Sequence, residues 1–296
     1  MRVFVTGATG FVGTEVVHEL INSGHQVLGL ARSKEAAATL ASIGADAHIG
    51  SIENLDSLRS GARASDAVIH LGFNPDFSKF RESSEIDRQA IKAVGSVIAG
   101  SGKPFIVPNG IAGLVPPGRV VTEKDDVPEN YGFPRFSEQA ALHLVSQGVH
   151  ASVIRLPQVH NTVKQGLVTR LIQAARAKGV SAYVNGGHNR WPAAHVSDVA
   201  RLFKLVLEAG EAGAKYHAVA EEGVEMNVIA DAISRVLGVP TKSLSEEEAQ
   251  THFGPLSVFV GVDMPASAEE TRKKMGWTPC GPKLITDLER IDQRRL

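Results

Sequence analysis

Three groups of residues in this chain have the types and spacing to do chemistry. The first is Thr6-Gly7-Ala8-Thr9-Gly10-Phe11-Val12-Gly13. It follows the apolar run Val3-Phe4-Val5 and precedes a helical pattern of Val16, Val17, Leu20 and Ile21 that stops at Ser23-Gly24. A strand, a glycine-rich turn and a helix in that order make a phosphate cradle. Gly7 permits the tight turn, Gly10 lets the backbone approach a pyrophosphate, and Gly13 lets the helix pack against the sheet. The amides at the helix start, from Gly10 through Phe11, Val12 and Gly13, receive the phosphate charge, with Thr9 beside them. The competing reading is a tight turn with no ligand.

The second group, Gly29-Leu30-Ala31-Arg32-Ser33, closes the second predicted strand. Sites for NAD usually place an acid there to bond the ribose hydroxyls. No carboxylate stands at this corner. Arg32 can fork onto a 2′-phosphate and Ser33 can add a hydroxyl, so NADP(H) is expected over NAD(H). The third group lies further on. Asn109 follows the apolar run Phe105-Ile106-Val107, and Tyr131-Gly132-Phe133-Pro134-Arg135 presents a tyrosine four residues before an arginine. A nearby cation lowers the pKa of a tyrosine and makes it a usable acid. Arginine can supply that charge and grip a diol with two N–H groups, but it cannot relay a proton. Arg135 and Tyr131 have the types for that chemistry, and the resemblance described below implies that they and Asn109 are the catalytic residues.

The elements that must hold these groups alternate in type. Strands are predicted at 2–5, 26–31, 47–49, 67–71, 105–107 and 151–156, and helices at 14–22, 34–43, 82–99 and 134–146. This β-α-β-α rhythm implies an α/β fold whose parallel sheet carries helices on both faces. Proline suits a first helical turn, so the helix bearing Arg135 is expected to start at Pro134 and leave Tyr131 outside it. Later segments read as helices at 166–178, 198–208, 228–237 and 284–292, with strands at 180–184 and 216–220. The division expected is residues 1–160 for the dinucleotide and 161–296 mainly for substrate, the two interleaved.

The bulk numbers exclude several classes. The chain has 296 residues, 43% of them hydrophobic and 21% charged, and a net charge of −1. That charge gives no electrostatic footprint for nucleic acid or an acidic membrane. The single Cys280 excludes an internal disulfide, and the 11 histidines form no metal-binding pair, so no metal is expected. No apolar run is long enough to span a bilayer, and the chain enters a strand at once, which fits a cytoplasmic protein.

The spacing G-x-x-G-x-x-G after a threonine resembles the extended and atypical short-chain dehydrogenase/reductases, the NAD-dependent epimerase/dehydratase-like group. The resemblance implies a Rossmann-type doubly wound parallel sheet with a smaller C-terminal substrate-binding lobe. It also implies that Ile52 touches the adenine, where Ser51 replaces a usual acid, and that Leu71 and Gly72 pass beneath the cofactor after His70, which serves a polar neighbour. The family's serine and Tyr-x-x-x-Lys are altered here, with Asn109 at the serine position and Arg135 at the lysine position. Arg155-Leu156-Pro157-Gln158-Val159-His160 resembles the stretch in which the backbone near the proline and valine, Pro157 and Val159 here, meets the nicotinamide carboxamide. His195-Val196-Ser197-Asp198-Val199-Ala200 resembles another family motif, in which Ser197 or Asp198 is placed to cap the next helix. Met275-Gly276-Trp277-Thr278-Pro279 resembles its closing turn.

The function implied is an NADP(H)-dependent oxidoreductase that moves a hydride to or from a small carbonyl or other polarised double bond. An epimerase or dehydratase and a non-catalytic NADP sensor are the alternatives. Candidate pocket residues are Phe73, Asn74, Ile111, His160, His188, Arg190, Trp191 and Phe253. The expected partner is a small-molecule substrate, with the chain a monomer or homodimer.

Overall fold

A computed structural model describes residues 1–74, 79–128, 133 and 135–291. In the first half β1 (Arg2–Thr6), α1 (Phe11–Asn22), β2 (Gln26–Ala31), α2 (Lys34–Ser42), β3 (Asp46–Ile49), α3 (Leu55–Arg63), β4 (Ala67–His70) and α4 (Phe80–Ile98) alternate strictly. They are followed by β5 (Pro104–Gly110), α5 (Ser137–Val145) and β6 (His150–Leu156). The second half adds β7 (Gln158–His160), α6 (Val168–Lys178), β8 (Ser181–Val184), β9 (Arg190–His195), α7 (Val196–Ala209), β10 (Lys215–His217), β11 (Glu221–Glu225) and α8 (Met226–Leu237). It closes with β12 (Thr241–Leu244), α9 (Glu246–Phe253), α10 (Ser257–Val260), α11 (Glu269–Met275) and α12 (Leu284–Glu289).

The main sheet has seven strands in the order β3-β2-β1-β4-β5-β6-β10. Every pairing in it is parallel. Alternation along each strand sends side chains to two faces. Val3, Val5 and Ile69 join one core with Val16, Val17 and Leu20 of α1 and Leu202, Phe203 and Val206 of α7. Phe4, Val68 and Phe105 join the other with Leu58 of α3, Ile91 and Val94 of α4, and Leu144 of α5. A third core, around Trp191, Leu171, Ile229 and Phe253, belongs to the second half. The fold is thus the doubly wound α/β sheet expected. The later chain serves both parts, because α7 and β10 return to the main sheet while α6, α8 and α9 surround a smaller core.

Several boundaries differ from expectation. The first helix starts at Phe11 rather than residue 14, directly on the glycine turn. The helix near Arg135 starts at Ser137, with Phe136 as its cap, not at Pro134. His195, not Ser197 or Asp198, caps α7, because that helix begins two residues earlier, at Val196; the His195 Nδ1 accepts the Ser197 amide at 3.3 Å. Asp198 instead receives the amides of Cys280 and Gly281 at 3.0 and 2.9 Å and pins that turn.

Strands β7, β9, β11 and β12 had no clear sequence pattern. β9 contains Pro192, which cannot donate to a ladder. Its neighbour β11 bulges opposite that residue: Glu221 pairs with Ala193 and Val224 with Trp191, a register shift that leaves the proline without a required partner. No helix among the described residues is long and apolar enough to cross a membrane.

Candidate active site

The turn between β1 and α1 is held by sterics. Gly7 has φ +64°, and a Cβ on it would come within 2.6 Å of the Leu71 carbonyl. A Cβ on Gly13 would overlap the Gly7 carbonyl oxygen, so Gly13 packs against the turn itself rather than against the sheet. Gly10 is the helix cap, its amide 2.9 Å from the Gly7 oxygen. Helix α1 has no side-chain cap and no acid in its first turn. Its leading amides are therefore open to an anion, and the glycines keep side chains out of the approach. These features fit a dinucleotide pyrophosphate.

A cleft of about 450 Å³ runs from this turn across the sheet edge. Gly7, Thr9 and Gly10 form its floor, with Arg32 and Ser33, Ser51 and Ile52, and Leu71 to Asn74 along it. Ser33 also caps α2, its oxygen accepting the Ala36 amide at 3.2 Å. Its link to Glu35 helps hold that carboxyl below the usual range. Glu53 also lines the cleft, an acid to which the sequence pattern gave no role. A second cavity of about 600 Å³ begins at Phe11 and is walled by Gly110 to Ala112, Leu156 to Gln158, Pro192, Phe259 and Met264. Lys164, Thr169, Arg170 and Gln173 supply its polar wall, and no carboxylate among the described residues lines it.

The expected residues sort accordingly. Pro157 and Ile111 line the second cavity, and Phe73 and Asn74 line the cleft. The side chains of Val12 and Val159 pack into the main core, which leaves only their backbone to meet a cofactor. His160 is closed to solvent, its Nδ1 2.7 Å from Asp287. Trp191 and Phe253 are core residues, and Arg190 forks onto Asp263. His188 edges a separate cavity of about 380 Å³ that shares no lining residue with the other two. Tyr131 and Pro134 lie outside the described residues. Among those residues no cluster of His, Cys, Asp and Glu is arranged to hold a metal ion.

Asn109, expected to face substrate, lines neither cavity. It is buried, and its amide donates to Glu138 Oε2 at 3.0 Å. Glu138 is itself clamped by Arg155, Nε to Oε2 at 2.9 Å and Nη2 to Oε1 at 2.5 Å. That buried pair fixes the end of β5 from which the cavity wall Gly110 to Ala112 emerges.

Arg135 lines neither cavity but stands against Phe73, a residue of the cleft wall. Its guanidinium carbon lies 3.7 Å from the centroid of the Phe73 ring, a cation–π contact. Its Nε donates to Ser137 Oγ at 2.7 Å, and the Ser137 hydroxyl donates to Asp87 Oδ2 at 2.5 Å. Asp87 Oδ1 is 3.1 Å from His70 Nε2; His70 Nδ1 is 2.8 Å from Thr6 Oγ1, which accepts the Gly72 amide at 3.0 Å. Burial pushes the Asp87 carboxyl up. The His70 hydrogen bond, the Arg135 charge and the Ser137 hydroxyl outweigh it and hold the group below the usual carboxylate range. Sequence reasoning missed Asp87 and Ser137. The signal was present: Asp87 falls among Ser83, Ser84, Ala90, Ile91 and Val94 on the buried stripe of α4, where an acid needs partners.

Residues 3–91 match the family model described as "NAD dependent epimerase/dehydratase family". An uncharacterized protein of Schizosaccharomyces pombe is 45% identical over 289 residues, covering 97% of this chain and 98% of that protein. The chain belongs to the NAD dependent epimerase/dehydratase family. A protein with a named activity is similar at lower identity: the 4-hydroxy-2-methyl-3-oxo-4-farnesyl-3,4-dihydroquinoline-1-oxide ketoreductase of Stigmatella aurantiaca, 26% identical over 227 residues, covering 73% of this chain and 67% of that one. The fold is shared with DesIV, the dTDP-glucose 4,6-dehydratase of Streptomyces venezuelae solved with NAD and TYD bound. The TM-score is 0.76 at 17% identity, covering 98% of this chain and 95% of that chain. In this epimerase/dehydratase family member the matched region spans the glycine turn, both sides of the cleft and Asp87.

Proposed function

We propose that the protein is an NADP(H)-dependent oxidoreductase acting on a small carbonyl or other polarised double bond. One observation carries the reading. The Gly7–Gly13 cradle opens onto a cleft whose far corner holds Arg32 and no acid in the 29–33 stretch, whose wall residue Phe73 carries the Arg135 guanidinium on its ring, and next to which a second, largely apolar cavity begins at Phe11.

When bound, the nicotinamide supplies or accepts the hydride. The chain's own residues do the rest. The leading amides of α1 neutralise the pyrophosphate. Arg32 selects the 2′-phosphate by a charge-assisted fork. Arg135 is the fixed cation of the nicotinamide end, stabilises developing oxyanion charge and lowers the pKa of a nearby acid. Tyr131 donates the proton. Asn109, tied to Glu138, holds the cavity wall rather than touching substrate. Phe11, Ile111, Leu156, Pro157 and Phe259 form an apolar seat, and the ketoreductase relative acts on a farnesylated ketone.

NADPH oxidation over a panel of aldehydes, ketones and enones tests this. Turnover that falls by orders of magnitude in Tyr131→Phe, with NADPH affinity retained, supports it. The non-catalytic sensor reading has one observation in its favour, the withdrawal of Asn109 from the cavity. NADPH binding without turnover of any panel member would favour that reading.

A further inference from the structure

Arg135 precedes α5 and is carried by a long, rotatable stem. A guanidinium on such a stem acts at a defined point only when neighbours fix it. Phe73 fixes one face of it. A second restraint is Ser137, which accepts the Arg135 Nε–H at 2.7 Å.

We infer that Ser137 and Asp87 are positioning residues that hold Arg135 at the nicotinamide end of the cleft. The inference rests on the reading of Arg135 given above. A serine oxygen that accepts from arginine is oriented only if its own proton has a destination. Asp87 Oδ2 is that destination, at 2.5 Å. Ser137 is 0% and Asp87 1% exposed, so water cannot substitute for either partner.

The carboxylate divides its oxygens. Oδ1 faces His70 Nε2, which must carry a proton to face an anion. The Thr6 hydroxyl can then serve His70 Nδ1, with the Gly72 amide donating to the same Thr6 oxygen. This half ties α4 to the end of β4 and to the floor of the cleft, and needs only one carboxylate oxygen. Oδ2 adds nothing to that bracing and turns instead to the serine that grips Arg135. One buried anion thus braces the dinucleotide floor at one end and sets the active-site cation at the other. Arg135 in turn favours the ionised form of Asp87, so each charge supports the other's placement.

A double-mutant cycle with NADPH as the probe tests this, read by NADPH affinity, turnover and thermal midpoint. Arg135→Ala should weaken NADPH about tenfold, the order of one charged hydrogen bond. Ser137→Ala should weaken it several-fold while melting within a few degrees of the parent, and Ser137→Thr should restore most of the loss. The double variant Arg135→Ala/Ser137→Ala should bind no worse than Arg135→Ala alone, because the serine acts through the arginine. Asp87→Asn, which keeps the shape without the charge, should repeat the Ser137→Ala pattern and carries the test if Ser137→Ala fails to fold. Multiplying losses in the double variant, or Ser137→Ala binding NADPH like the parent, overturns the inference while leaving the role of Arg135 intact. Unchanged NADPH affinity and turnover in Arg135→Ala instead removes the Arg135 reading, and this inference with it.

Discussion

The Arg135 guanidinium carbon stands 3.7 Å from the centroid of the Phe73 ring, and that contact joins two distant parts of the chain at the cleft wall. Phe73 follows the strand end that closes on Gly7, and it lines the cleft. Arg135 leads into α5 through Ser137. A flat, delocalised cation suits a ring face better than a compact ammonium does.

Arg135→Lys is therefore expected to recover only part of what Arg135→Ala loses. The lysine keeps a point charge but loses the stacked plane and the Nε donor to Ser137. Stopped-flow NADPH binding and steady-state turnover should both fall between parent and alanine variant. Full recovery would mean that charge alone matters.

Two glycines of one turn should fail in different ways. Gly13→Ala drives a methyl into the Gly7 carbonyl and should destabilise the fold by about 1–3 kcal/mol, the usual range for overpacking. Gly10 has an ordinary extended conformation, and a Cβ there approaches the Gly7 oxygen at 3.0 Å. Gly10→Val should therefore fold but lose nucleotide binding, because its branches fill the cradle. Urea melts and calorimetric titration of each variant check the split. Normal NADPH binding by Gly10→Val would place the phosphate elsewhere.

Acid should weaken the fold through His217. This ring is buried, its Nδ1–H donating to the Ser267 carbonyl at 2.7 Å while Nε2 lies 3.2 Å from Arg155 Nη1. Burial pushes its pKa down to about 4, and Arg155 adds to the fall against the pull of Glu123 and Glu138. The unfolded chain titrates near the ordinary 6.5. As pH drops, the unfolded state binds the proton first, so stability is full above 6.5 and declines toward pH 4. The loss at pH 5 is about 2 kcal/mol. Chemical denaturation at pH 7 and pH 5 should show it, with a smaller gap in His217→Asn. A parent equally stable at both values would refute the assignment.

Glu138 should matter more to stability than Asn109. Glu138→Ala strands a fully buried Arg155 and is expected to destabilise the protein by about 3–5 kcal/mol. Asn109→Ala removes one hydrogen bond, and the Asn109 Oδ1 already lacks a partner among the described residues. Its cost should be about 1 kcal/mol. Equal effects in urea melts would contradict the clamp.

The large sheet and the cradle were legible in the sequence because both rest on local rules. Apolar runs alternate with helical stripes up to Leu156, and Gly7 and Gly13 mark a turn that only glycine fits, with Gly10 open between them. The second half was harder to read. β9 hides behind Pro192, tolerated only because β11 bulges across from it. β12 is mostly exposed and polar, so it carries no apolar alternation. Of the site, Arg32 and Arg135 were visible as odd residues at known turns. Asp87 and Ser137 were not, since 50 residues separate them and only the packing of α4 beside α5 brings them together. Asn109 misled because its position in the chain suggested the cavity, whereas its side chain turns to Glu138.

The most direct test of the central claim is calorimetric titration of the parent protein with NADPH and with NADH, repeated on Arg32→Ala. NADPH is expected to bind at least about tenfold more tightly than NADH, and Arg32→Ala to weaken NADPH by about 1–3 kcal/mol while hardly changing NADH. Equal affinities in the parent would contradict the role of Arg32, and no binding of either nucleotide would contradict the cofactor site itself.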